Sequence, residues 1–468
     1  MSIQKKSFKF FFFTSLVFLV SYLLNFDNYI GSKFLFFIFN LSSYCLFLVA
    51  IKKKNNSAFE FFTYFFFLLS FWFKFNCILY FENIKITEGD FDLAISNYDN
   101  ATYVITIVFA ACICASFIKE FIIKKLKREI KFKMSNSFIE FYKTYRYFIF
   151  FLFSLFLILV WLTNFYYKIY SKGLVNEHLT FFVKHFYAWS LTYGLAVFTS
   201  VLIYIDFIIF NKSKIFIFGI FECFFTQMNI YSRSFLISFI AYLRGFLLLI
   251  QIDKFKVLKL NFLKLIFLIL IIFFFSIFIT TKLRNTQFYE TDKFTRQTNN
   301  FSTFSEILKL SINRWVGIDA LLAVSQNKNL SFNFFLSAWQ EKKNIKNKSF
   351  YIDNFFSRFN YSEFEKKNLN IVITPGIVAF LYYSGSALFV FFSILFLILI
   401  CTAIELLFFY YSLGNVILIN IIGYALSIRF IHFGYVPTNT INFLLSFLIT
   451  FFIIYFLTNI IQKKNFKS

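Results

Sequence analysis

Proline occupies only 2 of the 468 positions and histidine only 3, and acidic residues number 23 against 47 lysines and arginines. Each scarcity removes a class of function. With so little proline, the apolar runs are almost never interrupted. The three histidines are His178, His185 and His432. The first two are seven residues apart, too far for a pair on one helical turn, and the third is remote, so no metal motif is present by spacing. Six cysteines are scattered, several inside apolar runs such as Cys45, Cys112 and Cys114, and make no ligand set. No metal and no cofactor are expected. Charged residues make up only 15% of the chain, far too few to clothe a soluble protein of this length.

What is abundant is apolar surface. Hydrophobic residues fill 59% of the chain and aromatics 25%, with 83 phenylalanines. The excess of Phe, Ile, Asn and Lys has the look of AT-rich codon usage. For that reason a Phe-rich face is not read as a ligand box, nor a lone lysine as catalytic, without support from position. Repeated apolar runs near twenty residues indicate transmembrane helices. The runs are continuous rather than alternating, which argues against a barrel. The expected class is an all-α polytopic membrane protein with about twelve spans. They fall near 9–25, 32–50, 59–80, 101–119, 145–166, 183–209, 214–227, 235–252, 262–281, 385–409, 412–430 and 440–460. The basic flank and apolar run at the start, followed by no small-x-small cleavage pattern, are read as the first span.

Lysine and arginine in the short loops set an orientation. Lys5, Lys6 and Lys9, "KKK" at 52–54, "KKLKREIKFK" at 124–133, Lys212 with Lys214, Lys254 with Lys256 and Lys259, and "QKKNFK" after the last span fall on alternate loops. That side is expected to be cytoplasmic, with both termini there. The organisation then reads as an N-terminal bundle of about nine spans (1–281), a large outer loop (282–374) and a C-terminal group of about three spans (375–468). The outer loop carries ten Lys and four Arg against eight acidic residues, so it attracts phosphate or carboxylate. It is long for an idle connection, and its aromatic content argues against disorder.

Within that loop Phe304, Leu308, Ile312, Trp315 and Leu322 recur at helical spacing, which predicts an amphipathic helix over 304–324. The helix is expected either to lie on the bilayer surface, with Trp315 as anchor, or to cap the bundle. Arg314 either faces a polar chamber or snorkels to headgroups. Asp319, five residues from Arg314, is off its face and should pair elsewhere. Further short helices are expected at Phe332, Phe335 and Trp339, and at Phe355 and Phe359. A second outer loop gathers Glu82, Glu88, Asp90, Asp92 and Asp99, either as a solvated loop or facing a reaction.

Ionisable residues inside the membrane or at its rim are costly unless they pair, face water or bind something. Lys74, Arg233 and Arg429 map to the outer third, Arg244 and Glu222 lie deeper, and Asp206 and Glu405 lie near inner ends where a structural role is favoured. Lys74, Arg233, Arg314 and Arg429 either form a cationic chamber open to the outside or snorkel and pair separately. Arginines in a partly dry chamber would hold a diphosphate through forked, charge-assisted bonds and stabilise it as a leaving group. Glu88 and His432 are the candidates to deprotonate an acceptor hydroxyl.

Four segments carry a resemblance: "FWFKFNCILYFENIKITEGDFDLAISNYD" at 71–99, "MNIYSRSFL" at 228–236, "SINRWVGIDALLAV" at 311–324 and "ITPGIVAFLYYSG" at 373–385. With a dozen spans and one large outer loop, the chain resembles the bacterial O-antigen and oligosaccharide repeat-unit polymerases. That resemblance implies joining of polyprenyl-diphosphate-linked glycans at the outer face of the bacterial inner membrane, with Arg233 and Arg314 handling glycan or diphosphate. It implies as partners the lipid-linked glycan, membrane lipids and a chain-length regulator, and no nucleic acid. By this reading Arg233, Arg314, Glu88 and His432 are the catalytic candidates, and Lys74, Arg244, Arg429, Trp315 and Asp319 the substrate-binding ones. The related ligases use a histidine in the large loop, and positions 282–371 contain none. Two other readings stand beside it. A glycosyltransferase using polyprenyl-phosphate sugar would want an outer carboxylate soon after the first span, where Asp27 is alone. A flippase for lipid-linked oligosaccharide would suit twelve spans, but the sequence shows no internal repeat.

Overall fold

The computed structural model describes residues 2–51, 57–81, 95–126, 134–170, 179–212, 215–232, 234–252, 312–313, 315–342, 349–355, 374–434 and 436–462, with scattered positions between 271 and 283. Every regular element among them is helical. The long helices are α1 (Ser2–Asn25), α2 (Lys33–Ile51), α3 (Ala58–Phe67) continuing into α4 (Lys74–Tyr80), α5 (Ile95–Leu126), α6 (Asn136–Tyr167), α7 (Phe181–Trp189) continuing into α8 (Leu195–Phe210), α9 (Phe216–Asn229) and α10 (Phe235–Ile252). Then come the short α11 (Ile318–Ser325), α12 (Phe332–Trp339), α13 (Phe350–Phe355) and α14 (Gly376–Tyr382), and finally α15 (Ala387–Tyr411), α16 (Val416–Ile431) and α17 (Asn439–Gln462).

Seven of these stretches are long and apolar enough to cross a membrane, and Phe11–Asn25, Ser238–Ile250 and Val416–Ile431 are shorter apolar helices. The chain is a helical membrane protein. In hydrocarbon a backbone must satisfy its own hydrogen bonds, which is why apolar runs of this length become helices. Polar residues mark where they start. Ser57 accepts from the Glu60 amide, Ser135 from Phe138, Ser386 from Phe389, and Asn415 from both Ile417 and Leu418.

Two helices form the centre. α5 packs between α2 and α15, and α16 packs against α3, α8 and α10. Gly245 permits the second arrangement: a Cβ there would stand 2.6 Å from the Ile417 Cα. The core is aromatic, with stacked pairs such as Tyr29–Phe36 at 4.6 Å, Phe216–Phe246 at 4.5 Å and Tyr193–Phe447 at 4.6 Å between ring centroids. α6 and α17 present long rows of large apolar side chains outward, as lipid-facing helices do.

Loops that precede odd and even spans gather at opposite ends. At one end Ser135 donates to the Ile461 carbonyl, Tyr204 to that of Leu413, and the Phe59 amide to Glu405 Oε1 at 2.6 Å. Charges here are paired: Glu60 with Lys119, and Asp206 with Arg146 through a fork at 2.6 and 3.1 Å. This agrees with a structural role for Asp206 and Glu405. The opposite end collects residues 25–33, 74–76, 97–102, 315–342, 374–385 and 430–436, and carries the short helices.

Two spans are broken mid-course by π-helical turns, Leu68–Phe73 between α3 and α4 and Ser190–Gly194 between α7 and α8. Neither contains proline, and the first contains no glycine. Such turns shift side chains around the helix axis and frequently mark functional sites.

Candidate functional site

The first π turn ends at Lys74, which is buried although it lies in an apolar helix. Its ammonium group forms an ion pair with Asp319 at 3.1 Å, the side chains being 2% and 1% exposed. It also donates to the carbonyls of Trp315 at 2.9 Å and Asn313 at 3.4 Å. One lysine thus grips the loop on both sides of position 314. The contact is close because residue 317 is glycine: a Cβ there would meet the Ser70 Cβ at 2.8 Å and the Phe71 ring at 3.0 Å. The π turn and Gly317 interlock, and Trp315 rests against Phe66 with ring centroids 6.0 Å apart.

The expected helix over 304–324 is therefore not continuous where it is described. Ile312 and Asn313 are helical, the chain bends at Trp315, and α11 starts after Gly317. Nor does α11 lie on the bilayer surface. Its residues Ile318–Val324 are all buried, packed on α5 and α14, and Ser325 reaches the Asn97 carbonyl. Trp315 is accordingly a packing residue inside the cap rather than a membrane anchor. Residues 301–311 lie outside the described residues.

The other short helices extend the cap. α12 carries Phe332, Phe335 and Trp339, with Phe335 against Phe380 and Trp339 against Phe433. In α13, Phe355 stacks on Tyr383; Phe359 lies outside the described residues. Glu341, half-buried between them, accepts from the Phe350 amide at 3.0 Å, and burial raises its carboxyl above the ordinary range. The Gly376 amide donates to the Phe433 carbonyl at 2.9 Å, tying α14 to the end of α16.

Arg429 sits in the last turn of α16, where the helix dipole favours a cation. It donates to Thr440 at 3.1 Å, lies over the Phe443 ring at 5.6 Å and interacts with the Tyr170 side chain, while its Nε has no hydrogen-bond acceptor. That nitrogen is buried within the bundle end rather than open to solvent. His432 follows one turn later and is exposed. Arg244 lies elsewhere, bonded to Asn420 and set over the Phe61 ring at 4.4 Å.

Helix register separates these cations. Asn420 lies nine residues before Arg429 on α16, roughly 13 Å along its axis. Thr63 meets Ser427 at 3.0 Å, which puts Lys74 about as far beyond Arg429 in the other direction. Of the expected chamber of Lys74, Arg233, Arg314 and Arg429, the two described members, Lys74 and Arg429, are thus set apart along the bundle axis. Lys74 is neutralised by Asp319, and Arg244 belongs to the bundle interior. Arg233, Arg314 and Glu88 lie outside the described residues, as do Glu82, Asp90 and Asp92. Of the acidic loop, Asp99 is described: it accepts from Tyr29 Oη at 2.9 Å and the Ser32 amide at 2.8 Å, a structural role.

The sequence reading missed a lateral groove of about 480 Å³ between α6 and α9. Leu157, Trp161, Phe165, Phe221 and Phe225 line it, with Asn229 at its loop-rich end. There Asn164 donates to Asn229 at 3.1 Å and to the Tyr170 carbonyl at 3.0 Å. Such a groove suits an acyl or prenyl chain. Nothing in a Phe-rich sequence distinguishes the phenylalanines of a groove from those of a core. Among the described residues no group of three His, Cys, Asp or Glu side chains could hold a metal ion. Comparison of the chain with protein-family models, curated proteins and solved structures finds no match.

Proposed function

We propose that the protein joins polyprenyl-diphosphate-linked oligosaccharide repeat units at the outer face of a bacterial inner membrane. In this reading the chain crosses the membrane twelve times, with both termini cytoplasmic and the loop-rich end outside. The observation that carries it is the grip of Lys74 on Asp319 and on the carbonyls that flank position 314. A buried ion pair is an expensive way to hold a loop that has no task. What it holds in place are the carbonyls of Asn313 and Trp315, the neighbours of position 314 in the chain.

The roles then divide. Arg314 and Arg233 meet the diphosphate or the acceptor glycan, Arg429 adds positive charge at the bundle's end, and His432 takes the acceptor's proton. Lys74 and Asp319 act on the loop rather than on substrate. The groove between α6 and α9 admits the polyprenyl tail from the lipid. Attack of the acceptor hydroxyl on the anomeric carbon forms the new glycosidic bond and breaks the bond to the lipid diphosphate. The hydroxyl proton passes to the base.

The test replaces Arg314 in reconstituted protein given purified lipid-linked repeat units. Arg314→Ala at equal membrane abundance should abolish chain extension, and Arg314→Lys should restore only part, since lysine lacks the forked donor pair. Normal product length from Arg314→Ala would remove this arginine from the mechanism.

A flippase remains the second reading, favoured by the two spans interrupted by π turns, since transporters use broken helices near the bilayer midplane.

A further inference from the structure

Glu222 lies in α9 with 2% of its surface exposed. Its carboxylate accepts two hydrogen bonds, from Tyr242 Oη at 2.5 Å and Thr226 Oγ1 at 2.8 Å. Thr226 in turn accepts from the Trp161 indole at 3.1 Å. Among the described residues no ion pair is formed by Glu222. Two hydroxyl donors replace only part of the hydration a carboxylate loses on burial, and an ionisable group inside an apolar bundle is retained for a task.

Beside it is a cavity of about 30 Å³ lined by Ser190, Tyr193, Glu222, Gln227, Ser238 and Tyr424. That is room for one or two waters. Ser190, the first residue of the second π turn and 1% exposed, has a hydroxyl with no hydrogen-bond partner. A buried polar group in that state calls for a water or ion in the space it faces. From Gln227 a polar seam leads to the loop-rich end: Ser234 donates to Gln227 Oε1 at 2.7 Å and so accepts from Ser232 Oγ at 2.6 Å, while Ser238 meets Tyr424 Oη at 3.0 Å.

We infer that Glu222 and its cavity form a proton-binding site, wetted from the loop-rich end through the serine seam, at which the protein takes up and releases one proton. The step is an exchange with solvent: hydronium gives its proton to the carboxylate, leaving water and a neutral carboxyl group. Among the described residues the titratable groups that face Glu222 are Tyr242 from α10, Tyr193 from the π turn, Tyr424 from α16 and Cys223 from its own helix, and α6 contributes the indole of Trp161. None is a cation, so a proton is the charge available to neutralise the site. The inference does not depend on the glycan reading: Glu222 and Trp161 also line the groove between α6 and α9, but proton uptake at the carboxylate is read without any lipid-linked substrate.

The test is pH-difference infrared spectroscopy on the full chain in lipid nanodiscs. The wild type should show a carboxyl C=O band that grows as pH falls and shifts in deuterated water. Glu222→Gln, which keeps the shape and both hydroxyl partners, should lose it. Tyr242→Phe removes a donor that favours the ionised form and should move the midpoint about one pH unit higher. A band that persists in Glu222→Gln would overturn the site. If that variant fails to fold, an unmoved midpoint in Tyr242→Phe overturns it instead. A midpoint that follows sodium concentration at fixed ionic strength would replace the proton with a metal ion.

Discussion

Lys74 shows how a residue's meaning changes between sequence and structure. A lone lysine in an apolar run reads equally as a substrate cation or as half of a pair, and its partner is remote in the chain. Asp319 pairs with Lys74, a residue remote in the chain, and no local pattern points from one to the other. The pair predicts a coupled energetic signature. Lys74→Met or Asp319→Leu alone leaves a buried charge without its counterion and should cost about 3–5 kcal/mol. The double variant should recover much of that loss. Denaturation in detergent would read the coupling, and costs that simply add would contradict it. Glu341 makes a second residue-level prediction. Burial raises its carboxyl, so the folded cap favours the protonated form. The stabilisation is present at acid pH and is lost as pH rises through the raised value. The protection of α13 amides relative to their intrinsic exchange rates should therefore fall from acid to neutral pH, and Glu341→Gln should flatten that trend in protection. A pH-independent wild type would refute this assignment.

Among elements, the apolar spans were legible because an uninterrupted greasy run of the right length has one stable form in lipid. The two π turns were not: neither carries proline, and the single glycine of the second, Gly194, does not by itself mark a π turn. The break at Trp315–Gly317 was partly legible. A glycine at 317 is visible in the chain and allows close approach, but apolar spacing ran the helix through it. Periodicity reports which residues are buried together, and here α11 is buried all round, so its spacing carried no information about where the helix begins. Gly317→Val should push the loop off the π turn, because the added atoms would occupy the space of Ser70 and Phe71. Proteolysis within 315–342 should rise several-fold relative to wild type, with the spans intact; unchanged resistance would show that the loop is held without this contact.

At the scale of the whole molecule, an aromatic bundle separates an end where Glu60 pairs with Lys119 and Asp206 with Arg146 from a loop-rich end where Lys74 pairs with Asp319 and holds the Trp315 carbonyl. The alternation of basic loops predicts which end faces out. In spheroplasts a membrane-impermeant thiol reagent should label single cysteines placed in 282–371 and spare those in 124–133; the reverse would invert the molecule. The function is tested most directly by purified protein in liposomes, supplied with defined lipid-linked repeat units and no nucleotide sugar. The account predicts glycans several repeats long on the lipid carrier, made without added metal. Redistribution of unchanged single repeats between the leaflets, with no lengthening, would contradict it.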